Sequence, residues 1–298
     1  MRPFSRQQAL AVGLTDQELR GPDYVKVLGA VFVSSRVGLT PHARVQAGLM
    51  VHPPDAIATH TSVARLMGAP VPSDPLVHIT VVNPGDRRQR HGLRCHVAAI
   101  AEEDVRILQG LRVSAPARMF VELAGQLNLI DLVIVGDWLV RHEHVSVEEL
   151  RSYCARSRLR YARRAKDAAT YVRAGVDSPM ETRLRLLIVL AGLPEPEVDV
   201  KLVDEYGQVY LRADLGYRSV KLAVEYDGRH HDEPQQRSRD GDRRDEFEEG
   251  SWRLLVVRAD GIYGNPAKTI ARVWRALQAR GFEPLTPPTD GWRAHFAR

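Results

Sequence analysis

Residues 219–228 read SVKLAVEYDG, a run in which apolar and charged side chains alternate. Successive side chains of a β-strand point to opposite faces, so this alternation predicts a strand with one buried face, made of the even-numbered residues from Val220 to Tyr226. The other face is charged and ends in Glu225 and Asp227.

The stretches on either side extend this strand into a domain. VDVKLVD and QVYLRADLGY precede it as two further strands, joined by a tight turn at residues 205–207, and together the three predict an antiparallel meander. SPMETRLRLLIVLAGL predicts a helix in front, with Ser178 as its cap and Pro179 in its first position. RRDEFEEG, WRLLVVRA and AKTIARVWRALQARG predict a helix, a strand and a helix behind. The order is αβββαβα over residues 178–283.

The meander gathers carboxylates at one place. Asp214 falls where its strand meets a turn, and Glu225 and Asp227 lie near the end of the next strand. Crowded carboxylates repel one another, and a hard divalent cation such as Mg²⁺, which takes oxygen ligands, compensates them. Such a metal can bind a phosphate and activate a water. The alternative is an exposed acidic hairpin without a metal.

Residues 178–281 resemble the Vsr-like branch of the PD-(D/E)XK restriction-endonuclease superfamily, in particular a group of actinobacterial endonucleases. The matching features are the SPxE start at Ser178, GLP at residues 192–194, Asp214-Leu215, VEYDG at residues 224–228, His231, Asp240 with Arg243, and Trp252 followed by LLVVR. The resemblance implies a restriction-endonuclease-like fold and a Mg²⁺-dependent or Mn²⁺-dependent DNA endonuclease.

The resemblance also implies roles for single residues. Asp214 and Glu225 occupy the metal-ligand positions, Glu181 supports the metal through water, and His231 holds the attacking water or contacts phosphate. Arg243 would bind phosphate. The lysine that the superfamily places two residues after the glutamate is Asp227 here, although Asp-Gly is usual in the Vsr-like branch. The general base stays open between His231 and a metal-bound hydroxide.

The front of the chain has a different pattern. Residues 1–40 read as helix, helix and hairpin, with Ser5 and Thr15 as caps and Gly29 at the turn, which is typical of a winged-helix DNA-binding module. Residues 41–150 alternate between helices and strands, so we expect an α+β or α/β protein of several domains. THTSVARLMG and LRVSAPARMF make the first half similar to the winged-helix antitoxins of abortive-infection systems, extended by a mixed α/β region.

The basic segment, residues 151–177, is predicted to be a helical connector. It carries the densest positive charge of the chain, and a run of this kind is suited to the phosphate backbone of nucleic acid. The nucleic-acid contacts expected here are Arg156, Arg158, Arg160, Arg163, Arg164 and Lys166. A solvated interdomain helix is the alternative.

Charge and composition fit this division. The chain of 298 residues has a net charge of +5, with about +6 in residues 1–170 and about −1 in residues 171–298. Two cysteines without CxxC spacing argue against a disulfide framework and a structural zinc site. Without a signal-like N-terminus or a long apolar run, we expect a cytoplasmic protein without membrane partners.

The histidines of the front half are scattered. We interpret His52, His60 and His78 as capping or surface residues. His91 and His96 accompany the basic loop GDRRQRHGLR, for which a solvated hairpin tip is expected and contact with phosphates is the alternative. Residues 284–298 are expected to form a C-terminal tail.

Two functions compete. The first is a metal-dependent endonuclease whose front half holds DNA. The second is an antitoxin-like DNA-binding regulator whose nuclease-like domain lacks catalysis, and an interaction scaffold is a third class. DNA is the expected partner, although the residues do not distinguish it from RNA. A homodimer and a toxin, repair or restriction partner stay open.

Overall fold

A computed structural model describes residues 2–203, 206, 208–228, 247 and 250–296, without the side chains of Val37 and Tyr210. The chain forms two compact units. Unit 1 comprises Met1–Leu127 and Glu148–Asp167, and unit 2 comprises Asn128–Val147 and Ala168–Arg298. Within the described ranges, no helix is long and apolar enough to cross a membrane.

The N-terminal elements of unit 1 confirm the expected helix, helix and hairpin. They are β1 (Phe4–Ser5), α1 (Arg6–Ala11), α2 (Asp16–Leu19), β2 (Tyr24–Leu28) and β3 (Val31–Ser34). Both short helices begin with a capping box, at Ser5 and at Thr15. Gly29 makes the turn with φ of 56°, a value that glycine adopts without strain. The strands form a sheet in the order β1-β3-β2. Because α2 has only four residues, it is a single turn of helix.

The rest of unit 1 is built on a five-stranded sheet. Its elements follow the predicted alternation: α3 (Pro41–Met50), β4 (Ile57–Ala58), α4 (His60–Met67), β5 (Val77–Val81), β6 (Leu93–Val97), β7 (Val105–Leu108), β8 (Leu111–Ser114) and α5 (Pro116–Leu123). The strand order is β6-β5-β4-β8-β7. β5 is buried along its whole length, as expected for a strand inside the sheet.

The connection between β5 and β6 corrects one expectation. The two strands pair in parallel, with His78 opposite Arg94 and Thr80 opposite His96. A tight hairpin joins antiparallel strands only, so the loop GDRRQRHGLR is a crossover between parallel strands and not a hairpin tip. His78 and His96 therefore lie on the same face of neighbouring strands, two positions apart in register.

Four helices follow, and they correct the expected form of the basic segment. These are α6 (Leu129–Arg141), α7 (Val147–Arg156), α8 (Ala162–Ala169) and α9 (Pro179–Leu190). The basic segment is not one continuous helix, because residues 157–161 interrupt it between α7 and α8. It is also divided between the units, since unit 1 ends at Asp167 and unit 2 resumes at Ala168.

α6 belongs to unit 2 because a buried ion pair joins it to α9. Nη2 of Arg185 lies 2.8 Å from Oδ2 of Asp137, and both side chains are inaccessible to solvent. Oδ2 also accepts the hydroxyl of Thr182 at 2.8 Å, and Oδ1 accepts the amide of Arg173 at 2.8 Å. These bonds compensate the buried Asp137 carboxylate, which would otherwise be costly, although Nε of Arg185 has no hydrogen-bond partner among the described residues.

The remaining elements belong to unit 2 and are β9 (Glu197–Val203), β10 (Val209–Tyr217), β11 (Leu222–Asp227), β12 (Arg253–Arg258), α10 (Ala259–Tyr263), α11 (Pro266–Ala279) and α12 (Arg293–Phe296). The strands form a four-stranded sheet in the order β12-β11-β10-β9. β9 to β11 form the expected antiparallel meander, whereas β11 and β12 pair in parallel. The turn expected at residues 205–207 and the helix expected at RRDEFEEG lie largely outside the described residues.

The core of unit 2 contains the expected apolar face of β11. Leu222 and Val224 are fully buried in a cluster with residues of α9 and α11, and Tyr226 packs against the same cluster. Ala223 belongs to a second, smaller cluster. The alternation read from SVKLAVEYDG is therefore correct for Leu222, Val224 and Tyr226, whereas Val220 lies in a 3-10 turn before the strand and Ala223 is buried on the face expected to be charged. Lys221 departs from it, because it lies before the strand with φ of 49°.

The expected C-terminal tail is part of this core. Trp292 is 6% exposed and lies in the main cluster, against which Leu285 and Phe296 also pack. The amide of Thr289 donates to the carbonyl of Ala191 at 2.7 Å, just after α9. Residues 284–296 are thus packed against the unit rather than extended from it, because burial of the indole ring stabilises the docked arrangement.

Candidate functional site

The two expected metal ligands are on neighbouring strands of unit 2. Leu215 on β10 pairs with Val224 on β11, and Asp214 and Glu225 are the next residues of these two antiparallel strands. Oδ2 of Asp214 accepts a hydrogen bond from the backbone amide of Tyr226 at 2.9 Å, which brings its carboxylate to β11 beside Glu225. Like charges at facing positions of a sheet repel, so this end of the sheet favours a counter-charge.

Asp227 has a different environment. Its Oδ2 accepts a hydrogen bond from Nε of Arg258 at 3.1 Å, and the two residues are paired across β11 and β12. An ion pair therefore neutralises the third carboxylate of the meander. Lys221, at the other end of the strand, donates from Nζ to the carbonyl of Gly250 at 3.2 Å.

Glu181 lies in the first turn of α9 and is 8% exposed. Its amide donates to Oγ of Ser178 at 3.2 Å, which confirms the expected cap. Its Oε2 accepts the amide of Asp177 at 2.9 Å. Burial raises the pKa of Glu181, and this hydrogen bond opposes the rise. The carboxylate thus stabilises the start of the helix.

Three expected site residues cannot be placed. His231, Asp240 and Arg243 lie outside the described residues. Four expected carboxylates are described. The Asp214 side chain lies against β11, the strand that carries Glu225, whereas Asp227 pairs with Arg258 and Glu181 accepts a backbone hydrogen bond at the start of α9.

Apart from Arg243, the cationic residues expected to contact nucleic acid belong to the basic segment, in its unit 1 part. All six are exposed: Arg156, Arg158, Arg160, Arg163, Arg164 and Lys166. Three contact a neighbour, among them Arg160, whose guanidinium lies 5.0 Å above the ring of Tyr161. Nη2 of Arg164 donates to the carbonyl of Leu127 at 3.1 Å, and the Arg156 guanidinium lies 5.0 Å above the ring of Tyr153.

A group of histidines that sequence reasoning missed lies on the sheet of unit 1. His60, His78 and His96, here called the histidine trio, each offer one ring nitrogen, and these three atoms lie within 4.8 Å of one another. Among the described residues this is the one group of three potential metal ligands. Nδ1 of His78 is 2.9 Å from Nε2 of His96. The rings of His60 and His96 stack with centroids 3.9 Å apart. His78 is 1% exposed, so its expected surface or capping position is wrong.

The histidine trio is held in place by polar neighbours. Nε2 of His78 bonds Oδ2 of Asp74 at 2.8 Å, and Nδ1 of His60 bonds Oγ1 of Thr59 at 2.9 Å. His60 has φ of 56°, an unfavourable backbone conformation for a residue with a Cβ atom. Such strain concentrates at functional sites, because the surrounding structure has to maintain it.

The environment keeps these imidazoles neutral. Burial, together with the positive charge of Arg94 and the neighbouring histidines, lowers the pKa of His60 to about 2 and that of His96 to about 4. Burial also lowers the pKa of His78, although Asp74 opposes the change. A neutral imidazole has an unshared electron pair on one ring nitrogen, which is the form that binds metals.

An arginine network lies beside the histidine trio. The buried Arg118 donates from Nε to Oε1 of Glu122 at 2.8 Å and from Nη1 to Oδ2 of Asp104 at 2.7 Å. Glu122 reaches the trio, because its Oε2 accepts the amide of His60 at 3.3 Å. Tyr153 donates its hydroxyl to Asp104 at 2.5 Å. This network joins α4, α5 and α7 within unit 1.

A cavity of about 470 Å³ opens beside these groups. His60 and His96 line it, together with Glu122 and the guanidinium groups of Arg87, Arg94, Arg118 and Arg160. No sequence motif announces this site. Its histidines are 18 residues apart and come from β5, β6 and the start of α4, so only the pairing of the strands brings them together.

The residues that line this cavity lie within a stretch that matches a known family model. Residues 37–176 match the family model of the AbiEi antitoxin C-terminal domain. The match contains the histidine trio and most of the basic segment, and it confirms the similarity of this region to antitoxins. The chain is also similar to two uncharacterised proteins of Mycobacterium tuberculosis, from strains CDC 1551 and H37Rv. Each is 27% identical over 225 residues, which cover 74% of this chain and 81% of the relative.

Proposed function

We propose that the protein is a DNA-binding regulator of the antitoxin type. The observation that carries this proposal is the match of residues 37–176 to the AbiEi antitoxin C-terminal domain. The winged-helix-like arrangement of residues 4–34 adds a module that commonly enters a DNA groove.

The basic segment supplies the electrostatic part of this proposal. Arg158, Arg160 and Arg163 are exposed within ten residues, and Lys166 follows on α8. Exposed guanidinium groups that contact phosphates release counterions from DNA, so binding through them weakens as salt is added. These contacts would set affinity, whereas base contacts would set specificity.

The test is fluorescence anisotropy of the full-length protein with duplexes from the region upstream of its own gene and with shuffled duplexes of equal composition. We expect tighter binding to the upstream duplex. The triple variant Arg158→Ala, Arg160→Ala, Arg163→Ala should reduce the slope of log affinity against log salt by about 0.9 for each phosphate that the protein no longer neutralises.

A charge-matched control is the triple variant Arg275→Ala, Arg280→Ala, Arg293→Ala in unit 2, whose three arginines are also exposed. It should bind as the wild type does. Equal affinity for both duplexes, or equal weakening by the two triple variants, would contradict the proposal.

The similarity to antitoxins makes a toxin protein the expected protein partner. If the product of a neighbouring gene arrests growth when it is expressed alone, co-expression of this chain should restore growth. Growth arrest that persists with well-expressed protein would argue against an antitoxin role and leave DNA binding to be judged by the anisotropy experiment.

The second candidate is a metal-dependent endonuclease activity of unit 2. Its specific support is the hydrogen bond that brings the carboxylate of Asp214 to the strand of Glu225, in a sheet that contains the expected antiparallel meander. Two carboxylates supply the oxygen ligands that Mg²⁺ or Mn²⁺ prefers, so these residues fit the ion implied by the resemblance. The bound ion would polarise a phosphodiester and lower the pKa of a water.

Supercoiled plasmid with Mg²⁺ or Mn²⁺ tests this activity. Nicking should be lost in Asp214→Asn and in Glu225→Gln, both of which keep the shape of the side chain, and retained in Glu197→Gln, an exposed control on the same sheet. Nicking that survives both of the first two substitutions would exclude these residues as metal ligands. Specific DNA binding without nicking in either metal would favour the regulator alone.

A further inference from the structure

The histidine trio has the composition of a transition-metal site. Three imidazoles are the protein ligands of some zinc centres, and zinc sites with three protein ligands keep a fourth position open. Nitrogens bound to a tetrahedral zinc ion at about 2.0–2.1 Å lie roughly 3.3 Å apart. The observed spacing of 2.9 Å between His78 and His96, and of at most 4.8 Å over the whole trio, brackets this value.

The surroundings of the trio resemble the support that bound metals receive. Metal-ligating histidines usually donate their second ring N–H to a carboxylate or a carbonyl, which fixes the tautomer and the ring orientation. Asp74 has this position towards Nε2 of His78, at 2.8 Å, which leaves Nδ1 directed at His96. The same carboxylate is fixed by the hydroxyl of Thr61 at 2.8 Å and by the amide of Leu76.

The charge of the residues that line the cavity indicates what kind of ligand would occupy the fourth position of the metal. Arg87, Arg94 and Arg160 line it beside His60 and His96. A divalent cation would add to their positive charge, so an anion at the open position is electrostatically favoured. Nη2 of the buried Arg118 has no hydrogen-bond partner among the described residues and adds a further cationic donor beside the cavity.

We propose that His60, His78 and His96 bind one divalent transition metal of the zinc class, and that an exchangeable anion from the arginine-lined cavity completes its coordination. This site is independent of the carboxylates of unit 2, but it shares Arg160 with the proposed DNA contacts. Metal occupancy would link the start of α4 to β5 and β6, and would thereby stabilise unit 1.

The test uses full-length protein freed of metal by a chelator and titrated with Co²⁺, whose visible absorption reports four-coordinate geometry. We expect saturation at one ion per chain, displacement by Zn²⁺, and a higher unfolding temperature with Zn²⁺ bound. His60→Gln and His96→Gln should abolish the saturable absorption. Asp74→Asn keeps the shape of the side chain but not its charge, and should weaken affinity by roughly 10–100-fold.

His142→Gln is the matched control, because His142 is also one of several stacked aromatic groups and lies outside the trio. It should bind Co²⁺ as the wild type does. Circular dichroism of each variant separates a lost ligand from a lost fold. If His60→Gln misfolds, Asp74→Asn still tests the site.

Two outcomes would overturn the proposal. If the wild type shows no saturable Co²⁺ binding, or if the folded His60→Gln and His96→Gln variants bind equally well, the trio is a hydrogen-bonded cluster only. Inorganic phosphate tests the anion: it should shift the absorption of the cobalt-loaded protein, and an unchanged spectrum would contradict the exchangeable anionic ligand while leaving the metal assignment standing.

Discussion

The carboxylate of Asp214 accepts the backbone amide of Tyr226 at 2.9 Å, and so ties the end of β10 to β11. Asp214 contributes two things there, an acceptor for the amide and a negative charge on the strand next to Glu225. Asp214→Ala should lower the free energy of unfolding by about 1 kcal/mol, because the amide loses its acceptor. Urea denaturation measures the change.

Asp214→Asn separates these two contributions. The asparagine carbonyl can still accept the amide, and the negative charge beside Glu225 is gone. We expect stability equal to or above that of the wild type, in the absence of divalent metal. A loss as large as that of Asp214→Ala would show that the charge itself is needed for the fold.

The buried pair of Asp137 and Arg185 should be essential for unit 2. Asp137→Asn removes the nearer counter-ion of the buried Arg185 guanidinium and leaves only Glu195, at 3.3 Å, so we expect a loss towards the lower end of roughly 3–5 kcal/mol. The exposed pair of Asp290 and Arg293 is the control, and Asp290→Asn should change stability by less than about 1 kcal/mol. Similar losses for both variants in chemical denaturation would contradict this expectation.

Trp292 should anchor the C-terminal residues to the core of unit 2. Trp292→Ala removes a large buried ring, and we expect the unfolding free energy to fall by roughly 3–5 kcal/mol. Val203→Ala, at a valine that is 55% exposed, should have little effect. If removal of residues 284–298 left stability unchanged, the docked arrangement would make no contribution to the fold.

Cys154 should be unreactive in the folded protein. Burial raises the pKa of its thiol to about 12, so at pH 8 only roughly one molecule in ten thousand carries the thiolate. In Cys95→Ser protein, where Cys154 is the single remaining thiol, alkylation by iodoacetamide should be slow and should accelerate about tenfold per pH unit between pH 7 and 10.

Addition of urea is the control for this measurement, because unfolding exposes the thiol and restores its ordinary acidity. Alkylation should then be fast at pH 8. Equal rates in native and unfolded protein, followed by mass spectrometry, would show that Cys154 is accessible in the native state.

The sequence predicts local features well where they depend on neighbours in the chain. The capping boxes at Ser5 and Thr15 and the turn at Gly29 are as expected, because each depends on contacts over a few residues. The apolar period of β11 is also as expected, since alternation of side chains is a property of one strand. Helix α10 was not predicted, because its five residues form little more than a single turn after β12.

Features that depend on distant pairing could not be predicted. The parallel pairing of β5 and β6 replaces an expected hairpin, and it brings His78 and His96 to one face of the sheet. The arginine partner of Asp227 likewise depends on the parallel pairing of β11 and β12. A loop alone contains no information on the direction in which the next strand will pair.

By itself, the sequence determined most of the helices and strands in their order, the caps at Ser5, Thr15 and Ser178, the apolar period of β11 and the concentration of positive charge in the basic segment. The tertiary structure alone decided that α6 packs with α9 in unit 2, that the last residues enter the core, and that three separate histidines meet beside an arginine-lined cavity. The physical reason is range. Periodicity and capping act over a few residues, whereas sheet pairing and burial join residues tens of positions apart, and their geometry appears only when the chain has folded.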